Sequence, residues 1–595
     1  MSEHTFHIPV MGLGFTIDTP IKVARFGISS VVSIMHDSLL EQMRKFYCRQ
    51  AGEEYIAIPN DVKLRAKRIT AYLDLMNRII IGQVEKMKTE PFEEGQDIVK
   101  YFCLLPDKSP TKELYLKMLN MGTLEKNKVQ IELRKKIIAG SIDVNIMTKV
   151  DNINYSKDGM PLPIEYSDAI SALRGFSDSL LNSSIIFSAG LNPRLFSFLE
   201  YIPDFYPDSQ GNIKKRIILK VSDYRSALIQ GKYLAKKGLW IYEFRIESGL
   251  NCGGHAFPTE GYLLGPILQE FKHKKQELNE ELLQLCNLAL QRKNRPTIKE
   301  TSEIRITAQG GIGTANEDKF LREYYQLDGT GWGSPFLLVP EATNVDTATL
   351  MSLITAKKED YYLSSSSPLG VPFNNFIKST SEDQRKERIQ KNRPGSPCYM
   401  KYLTFNTEFT ERPICTASRE YQDKKIKAIQ ASNQKENEKV KLLEEVTSKD
   451  CLCEGLSVTA LLNNNIPVPH RLNAVTICPG PNLAYFSKIL SITEIIGHIY
   501  GRLNALNDLY RPHIFVNELK MYIDYLKKDI LKNLTTLNEK KKNYFYNFKS
   551  NLLEGIDYYL RLVSSITESD EFKKIMTEEL KILKAELIFS TKEFE

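Results

Sequence analysis

Short apolar runs that end in glycine or a polar turn, with helical stretches between them, set the pattern of the first part of the chain. HIPVMGLGF (7–15) and GISSVVSIM (27–35) flank a Thr19-Pro20 helix start, which makes a βαβ opening. DVNIMTK (143–149), SSIIFSAG (183–190), RIILKVSD (216–223) and LWIYEFRIESGLNCGGHAF (239–257) continue the series. IRITAQGGIGTANED (304–318) and QLDGTGWGSPFLLVPEA (326–342) are two strand–glycine–helix units placed end to end. Such alternation predicts a parallel sheet, and strands that deliver glycine corners to one end predict a (β/α)8 barrel.

Two departures from the alternation predict additions to that barrel. Between 37 and 140 the text is helical, with Ile69, Tyr72, Leu73, Met76 and Ile80 recurring on one face. From Asn482 onward a second helical region carries the stripe Val516, Leu519, Ile523, Leu526, Ile530 and Leu534. The expected division is therefore a barrel start over 1–36, a helical insertion over 37–140, the rest of the barrel over 141–376, a cysteine-bearing extension over 377–480 and a helical domain over 481–595. SSSSPLGVPFNNF (364–376) reads as a polar loop, and 423–450, rich in Lys and Glu, as a solvated helix.

Composition narrows the class. In 595 residues, 42% are hydrophobic and 26% charged, and 80 basic against 73 acidic side chains leave +7 without an arginine-rich arm. This excludes wholesale disorder and gives no reason to expect a nucleic-acid partner. No apolar run is long enough to span a membrane and no secretory signal is visible; with nine cysteines, an odd number, reduced thiols in a cytoplasmic setting are expected.

The chemistry-bearing residues cluster at the strand ends. Gly253 and Gly254 deliver His255, whose imidazole titrates near neutrality and suits proton transfer. Gly310-Gly311 and Gly333-Ser334 open onto helix starts, where free backbone N–H groups favour a phosphate. Cys398, Cys415, Cys451, Cys453 and Cys478 fall in one window. Four thiolates, Cys415, Cys451, Cys453 and Cys478 among them, suit zinc or an iron–sulfur cluster, but the spacings match no metal pattern and reduced buried thiols remain the alternative. Cys252 reads as a small buried side chain, with a proton donor or redox thiol as the second reading.

Taken in order, these motifs resemble the FMN-dependent nitronate monooxygenases, formerly 2-nitropropane dioxygenases, and their relatives the flavin-type enoyl-ACP reductases. Met11-Gly12-Leu13-Gly14 matches the first-strand glycine loop, Val144-Asn145 the third strand, and Lys220-Val221-Ser222 the Lys-Val-x-Ser strand. Gly253-Gly254-His255 matches the end of the Glu-Ala-Gly-Gly-His corner, with Asn251 and Cys252 replacing Glu-Ala. Gln309-Gly310-Gly311-Ile312 and Trp332-Gly333-Ser334-Pro335-Phe336 stand where the family binds phosphate, and Glu341-Ala342 follows as it does there. CPGPNLAYFSKIL (478–490) is distantly similar to a stretch in the enoyl reductases of polyunsaturated-fatty-acid synthases.

The resemblance implies a barrel with FMN across its mouth. It implies cofactor contacts from Met11, Gly12, Leu13 and Gly14, from Asn145 and Lys220, from Gly253 and Gly254, from Gly310 and Gly311, and from Trp332, Gly333 and Ser334. His255 is implied as the general acid or base. The activity expected is oxidation of a carbanionic, nitronate-like substrate with O2. The alternative within enzymes is NAD(P)H-dependent reduction of an enoyl thioester, with an acyl carrier protein as partner, and the alternative of another class is a non-catalytic flavin-binding interaction protein. A homo-oligomer is compatible with either.

Overall fold

The computed structural model describes residues 3–188, 190–247, 249, 253–258, 260–534 and 537–591. Parallel strands close a barrel in chain order: β1 (Phe6–Ile8), β2 (Ser29–Ser33), β3 (Ile142–Met147), β4 (Ser184–Ser188), β5 (Arg216–Val221), β6 (Ile241–Glu247), β7 (Arg305–Gln309) and β8 (Gly329–Gly331). His7 of β1 stands opposite both Ser29 of β2 and Gly331 of β8, so the sheet has no free edge. The expected (β/α)8 barrel is the observed fold.

Strand periodicity explains how the interior came to be polar. On β6, Phe244 points outward to Phe271 of the helix Leu264–Arg292, and Glu243 and Arg245 alternate with it toward the lumen. There Glu243 Oε1 accepts from Arg245 Nε at 2.8 Å and from the Thr307 hydroxyl at 2.6 Å, and Arg245 reaches Asp143 at 3.5 Å. A buried charge of this kind is tolerable only when paired, and removing one partner of such a set costs about 3–5 kcal/mol.

Between β2 and β3, the helix Leu64–Thr89 packs against the helix Asp168–Ser177 that follows β3. Gly175 permits this contact, because a Cβ there would lie 2.8 Å from Ala66 O. Five helices fall within residues 37–140, and this one belongs to the ring around the barrel.

After β8 the chain departs from expectation. The supposed polar loop is an antiparallel hairpin, β9 (Tyr361–Ser364) with β10 (Phe373–Phe376). Its serines hide the strand pattern, but Tyr361, Phe373 and Phe376 are buried and drive the pairing. The Lys/Glu-rich stretch forms two helices, Arg419–Gln430 and Glu436–Thr447, rather than one. At the C-terminal end, helices Ile514–Asn533, Glu539–Leu562 and Asp570–Ser590 pack together, with Val516, Leu519, Ile523, Leu526 and Ile530 buried as the stripe predicts. Leu534, the last of that stripe, is exposed.

The C-terminal helices are fastened to the barrel through polar groups. Glu518 accepts the Leu264 N–H at 3.0 and 2.9 Å, and the Tyr559 hydroxyl accepts the Gly265 N–H at 3.0 Å, so both cap the start of helix Leu264–Arg292. A carboxylate at a helix N-terminus meets orphan donors and the positive end of the dipole. Among the described residues, no helix is long and apolar enough to cross a membrane.

Burial holds the imidazoles of His4, His36 and His513 down at about 4 and that of His7 at about 3. Unfolded, each titrates near 6.5, so below that pH the unfolded chain binds more protons than the folded one. The stability these neutral rings contribute is present above about pH 6.5 and is lost as the pH falls toward 4. Thermal-unfolding midpoints should therefore drop on acidification through this window, and His36→Asn should flatten the drop.

Candidate active site at the barrel mouth

A cleft open to solvent, spanning about 1700 Å3 of space that includes part of that solvent, lies over the C-terminal ends of the strands. Its floor is a hydrogen-bonded layer of strand-end side chains. His7 Nε2 is 3.2 Å from Gln309 Oε1, Gln309 Nε2 donates to Glu247 Oε1 at 3.1 Å, and Glu247 pairs with Lys220. On the other side the Ser188 hydroxyl donates to Asn145 Oδ1. This layer links β1, β7, β6 and β5, and separately β4 and β3. The cavity walls come from beyond the barrel: Phe373 of the hairpin, Tyr402 and Leu403, Leu452 and Leu456, and the segment 477–482.

His255 enters this cavity just past β6. Its backbone neighbours are stitched to the hairpin, with Asn374 N–H donating to Gly254 O and Ala256 N–H to Pro372 O, both at 2.9 Å. The ring edge meets Phe373 at 5.0 Å, and Nε2 lies 2.7 Å from the buried Ser367 Oγ. Burial, and then the nearby charges of Lys149 and Lys220, hold the ring down at about 4. At neutral pH His255 is therefore a neutral imidazole, fit to accept a proton.

The two glycines before His255 are required by the opposite wall. Gly254 has φ +79°, and it donates its N–H to Cys478 O at 3.0 Å. A Cβ on Gly253 would lie 2.5 Å from that same carbonyl oxygen. Asn251 and Cys252, the expected departures from the family corner, lie outside the described residues.

The loops after β7 and β8 form the polar side of the mouth. Gly310 and Gly311 take φ of +97° and +74°, left-handed values natural to glycine. Arg511 donates to Gly311 O at 2.8 Å, to Glu317 Oε1 at 2.6 Å and to Asn482 Oδ1 at 2.6 Å, while Asn482 Nδ2 donates to Ile312 O at 3.0 Å. With the Gly311 carbonyl held on that side, the Ile312 N–H, trans across the same peptide, points the other way. Among the described residues, the backbone N–H groups of Gly311, Ile312, Gly333 and Ser334 donate to no protein group, and all four residues line the cavity. Backbone amides left without a protein acceptor at glycine loops are groups that suit an anion.

Most of the expected contacts converge here. Met11, Gly12 and Leu13, Asn145 and Lys220, Gly253 and Gly254, and the four loop residues from Gly310 to Gly311 and Gly333 to Ser334 all line the cavity. Gly14 and Trp332 do not. Gly14 turns its N–H to Leu456 O at 2.7 Å, and a Cβ there would lie 2.5 Å from Ser457 O, so its smallness serves a backbone crossing. Trp332 is fully buried with its indole N–H on Asp318 Oδ1 at 3.3 Å.

Of the expected thiol set, Cys453 and Cys478 line the cavity, and among the described residues no three His, Cys, Asp or Glu side chains are placed to hold a metal ion. It is Cys398 that lies beside Cys415. Sequence reasoning missed Glu247, Ser367, Asn482 and Arg511. The alternation of Glu243, Arg245 and Glu247 on β6 was a usable signal for the first, whereas the other three have no local signature.

The chain matches no protein-family model and no curated protein sequence. Among solved structures it is similar to FabK from Thermotoga maritima, at 12% identity over 69% of this chain and 86% of that one, with a TM-score of 0.31. The enoyl reductase domain of MlnA from the macrolactin biosynthesis cluster of Bacillus amyloliquefaciens gives 13% identity, 74% and 89% coverage and a TM-score of 0.33. Nitroalkane oxidase from Streptomyces ansochromogenes gives 10%, 64%, 84% and 0.29. Function is accordingly read from the cavity.

Because neighbouring cations oppose protonation of His255, Lys149→Met should raise its titration midpoint from about 4 toward the ordinary histidine value. An NMR titration of ring-labelled histidine checks this, and an unmoved midpoint would refute the assignment of cause.

Proposed function

We propose that the chain is an FMN-dependent oxidoreductase that works at the barrel mouth. The observation that carries this reading is the set of four cavity-lining amides on Gly311, Ile312, Gly333 and Ser334, which suits a phosphate, beside an open cavity large enough for a ring system. When bound, FMN supplies two-electron exchange with a carbon centre and with O2.

The protein's own part is to bind, orient and move a proton. The amides would hold the phosphate without a charged side chain, and Arg511, by donating to the Gly311 carbonyl, orients the Ile312 amide across the same peptide. Gly254, where a Cβ would meet nothing within 4 Å, leaves room for a flat ring to approach backbone. We assign the tautomer in which Nε2–H donates to Ser367 Oγ, which leaves Nδ1 to accept a proton from the substrate; burial keeps the ring uncharged at neutral pH. A neutral base of this kind suits a carbon acid such as a nitroalkane, whose deprotonation gives the nitronate-like carbanion that we assign as the species oxidised, with O2 as the electron acceptor.

A second reading has its own support. Leu403, Leu452, Leu456 and Ile477 make one wall apolar, as a long acyl chain requires. That favours reduction of an enoyl thioester by NAD(P)H, presented by an acyl carrier protein.

Anaerobic mixing of the flavin-loaded protein with each candidate separates the two. Bleaching by an alkyl nitronate and not by NADH or NADPH is expected, and the reverse pattern would establish enoyl reduction instead. His255→Asn should lower kcat by about 10^2–10^4-fold with flavin still bound. Arg511→Met should weaken FMN binding tenfold or more, about 1.4 kcal/mol, and leave riboflavin, which lacks the phosphate, nearly unaffected. Titration calorimetry with both ligands measures the difference.

A further inference from the structure

One cation in the cavity has no counter-charge of its own. Of the charged side chains that line it, Lys220 and Glu247 pair with each other, which leaves Lys149. Among the described residues no carboxylate pairs with Lys149, and partial burial lowers its pKa with no acidic group acting to raise it. Its ammonium sits 4.0 Å from the centre of the Phe257 ring. An aromatic face attracts a cation without neutralising it.

The chain around Lys149 fixes this placement. The Thr148 hydroxyl donates to Ser188 O and Gly190 O at 3.0 and 3.1 Å, and Asn192 Nδ2 donates to Thr148 O at 3.0 Å, so the turn after β3 is tied to the end of β4. A Cβ on Gly190 would lie 3.5 Å from Lys149 Cε, which puts the lysine stem against that glycine. The carboxylate closest in sequence, Asp151, is engaged elsewhere: it accepts from the Ala169 N–H at 3.0 Å and from Asn192 and Arg194, each at 3.3 Å.

Lys149 also stands beside the base. The rings of His255 and Phe257 are 6.3 Å apart, so the imidazole and the ammonium approach the same phenyl ring, and Lys149 is the strongest of the charges acting on His255. The amides suited to a phosphate follow β7 and β8, whereas Lys149 follows β3, across the barrel from them. The cation is therefore left for the substrate.

We propose that Lys149 is a catalytic residue that binds the anionic oxygens of the substrate; on the nitroalkane reading, on which their identity rests, these are the two oxygens of the nitro group. As His255 acts, the C–H bond breaks and its proton goes to Nδ1. Its electron pair becomes the second bond of C=N, the N=O pair retreats to oxygen, and one negative charge is shared by two oxygens facing the ammonium. A fixed charge opposite a developing one, away from bulk water, lowers the barrier without reorganisation. Beside a base alone the same cation is a disadvantage, since it opposes protonation. In contact with the substrate oxygens it acts more strongly on them than on the imidazole, because Coulomb energy grows as separation shrinks.

The test reads this charge without an oxidant. Full-length protein, with and without added FMN, is titrated by calorimetry with 2-methylpropanoate, whose planar two-oxygen anion has the shape of the nitronate of 2-nitropropane, and with the neutral amide of the same acid. The wild type should bind the carboxylate; Lys149→Met should weaken it tenfold or more and leave the amide unchanged, and Lys149→Arg should restore most of the loss. Lys157→Met, at an exposed lysine further along the same loop, should match the wild type. Exchange of the substrate proton of 2-nitropropane in D2O should slow at least tenfold in Lys149→Met, and since that variant makes His255 more basic, a weakened base cannot be the cause. Equal carboxylate affinity in the wild type and Lys149→Met, or no carboxylate binding by the wild type, would overturn the proposal. Unchanged turnover of nitronates by Lys149→Met would sink the proposal alone, whereas Lys149-dependent carboxylate binding without any bleaching by nitronates would sink the nitroalkane reading and leave the anion site standing.

Discussion

The mouth of this barrel depends on one buried guanidinium. Arg511 and Glu317 form an ion pair whose side chains are only 4% and 1% exposed. Burying two charges brings little net stability, because lost hydration offsets most of the attraction. What the pair contributes is orientation. The guanidinium divides its donors among Glu317, Asn482 and the Gly311 carbonyl, which fixes the loop after β7 where Gly311 and Ile312 line the cavity. Glycine at 313 is part of the same arrangement, since a Cβ there would lie 2.5 Å from Arg511 Nε.

The C-terminal region is therefore part of the site and not an appendage. It supplies Arg511, and the chain leading into it supplies the wall around Cys478 and Gly480, which presses on Gly253 and accepts from Gly254. His255 is thus held between two additions to the barrel, the hairpin β9–β10 on one side and the Cys478 segment on the other. A histidine at a strand end gains a defined pose only through such outside contacts. Here they also remove water, which is the main reason its pKa is low.

The floor follows a different logic. Inward positions on β5, β6 and β7 carry Lys220, Glu247 and Gln309, and each satisfies its neighbour. Polar groups inside a closed barrel are acceptable when every member is paired, and a paired layer is stiff. Stiffness beneath and adaptable apolar side chains above make a cavity whose polar features stay put while its walls can accommodate substrate.

The barrel strands were legible because each is a local pattern: an apolar run, a glycine and a turn, repeated along the chain. The stripe from Val516 to Ile530 and the glycine loops at Gly310 and Gly333 were legible for the same reason, since helical spacing and left-handed backbone are properties of neighbouring residues. The hairpin among serines, the Ser367 contact to His255, the use of Gly14 for a backbone crossing, the burial of Trp332 and the choice of Cys398 over Cys478 beside Cys415 were not. Each is settled by a partner that is distant in sequence, as Arg511 is from Gly311. By itself, then, the sequence determined which segments become strands, helices and tight glycine turns, because those are decided by short-range sterics and periodicity. Only the tertiary structure decided which of those turns line the cavity, because that depends on what closes over them.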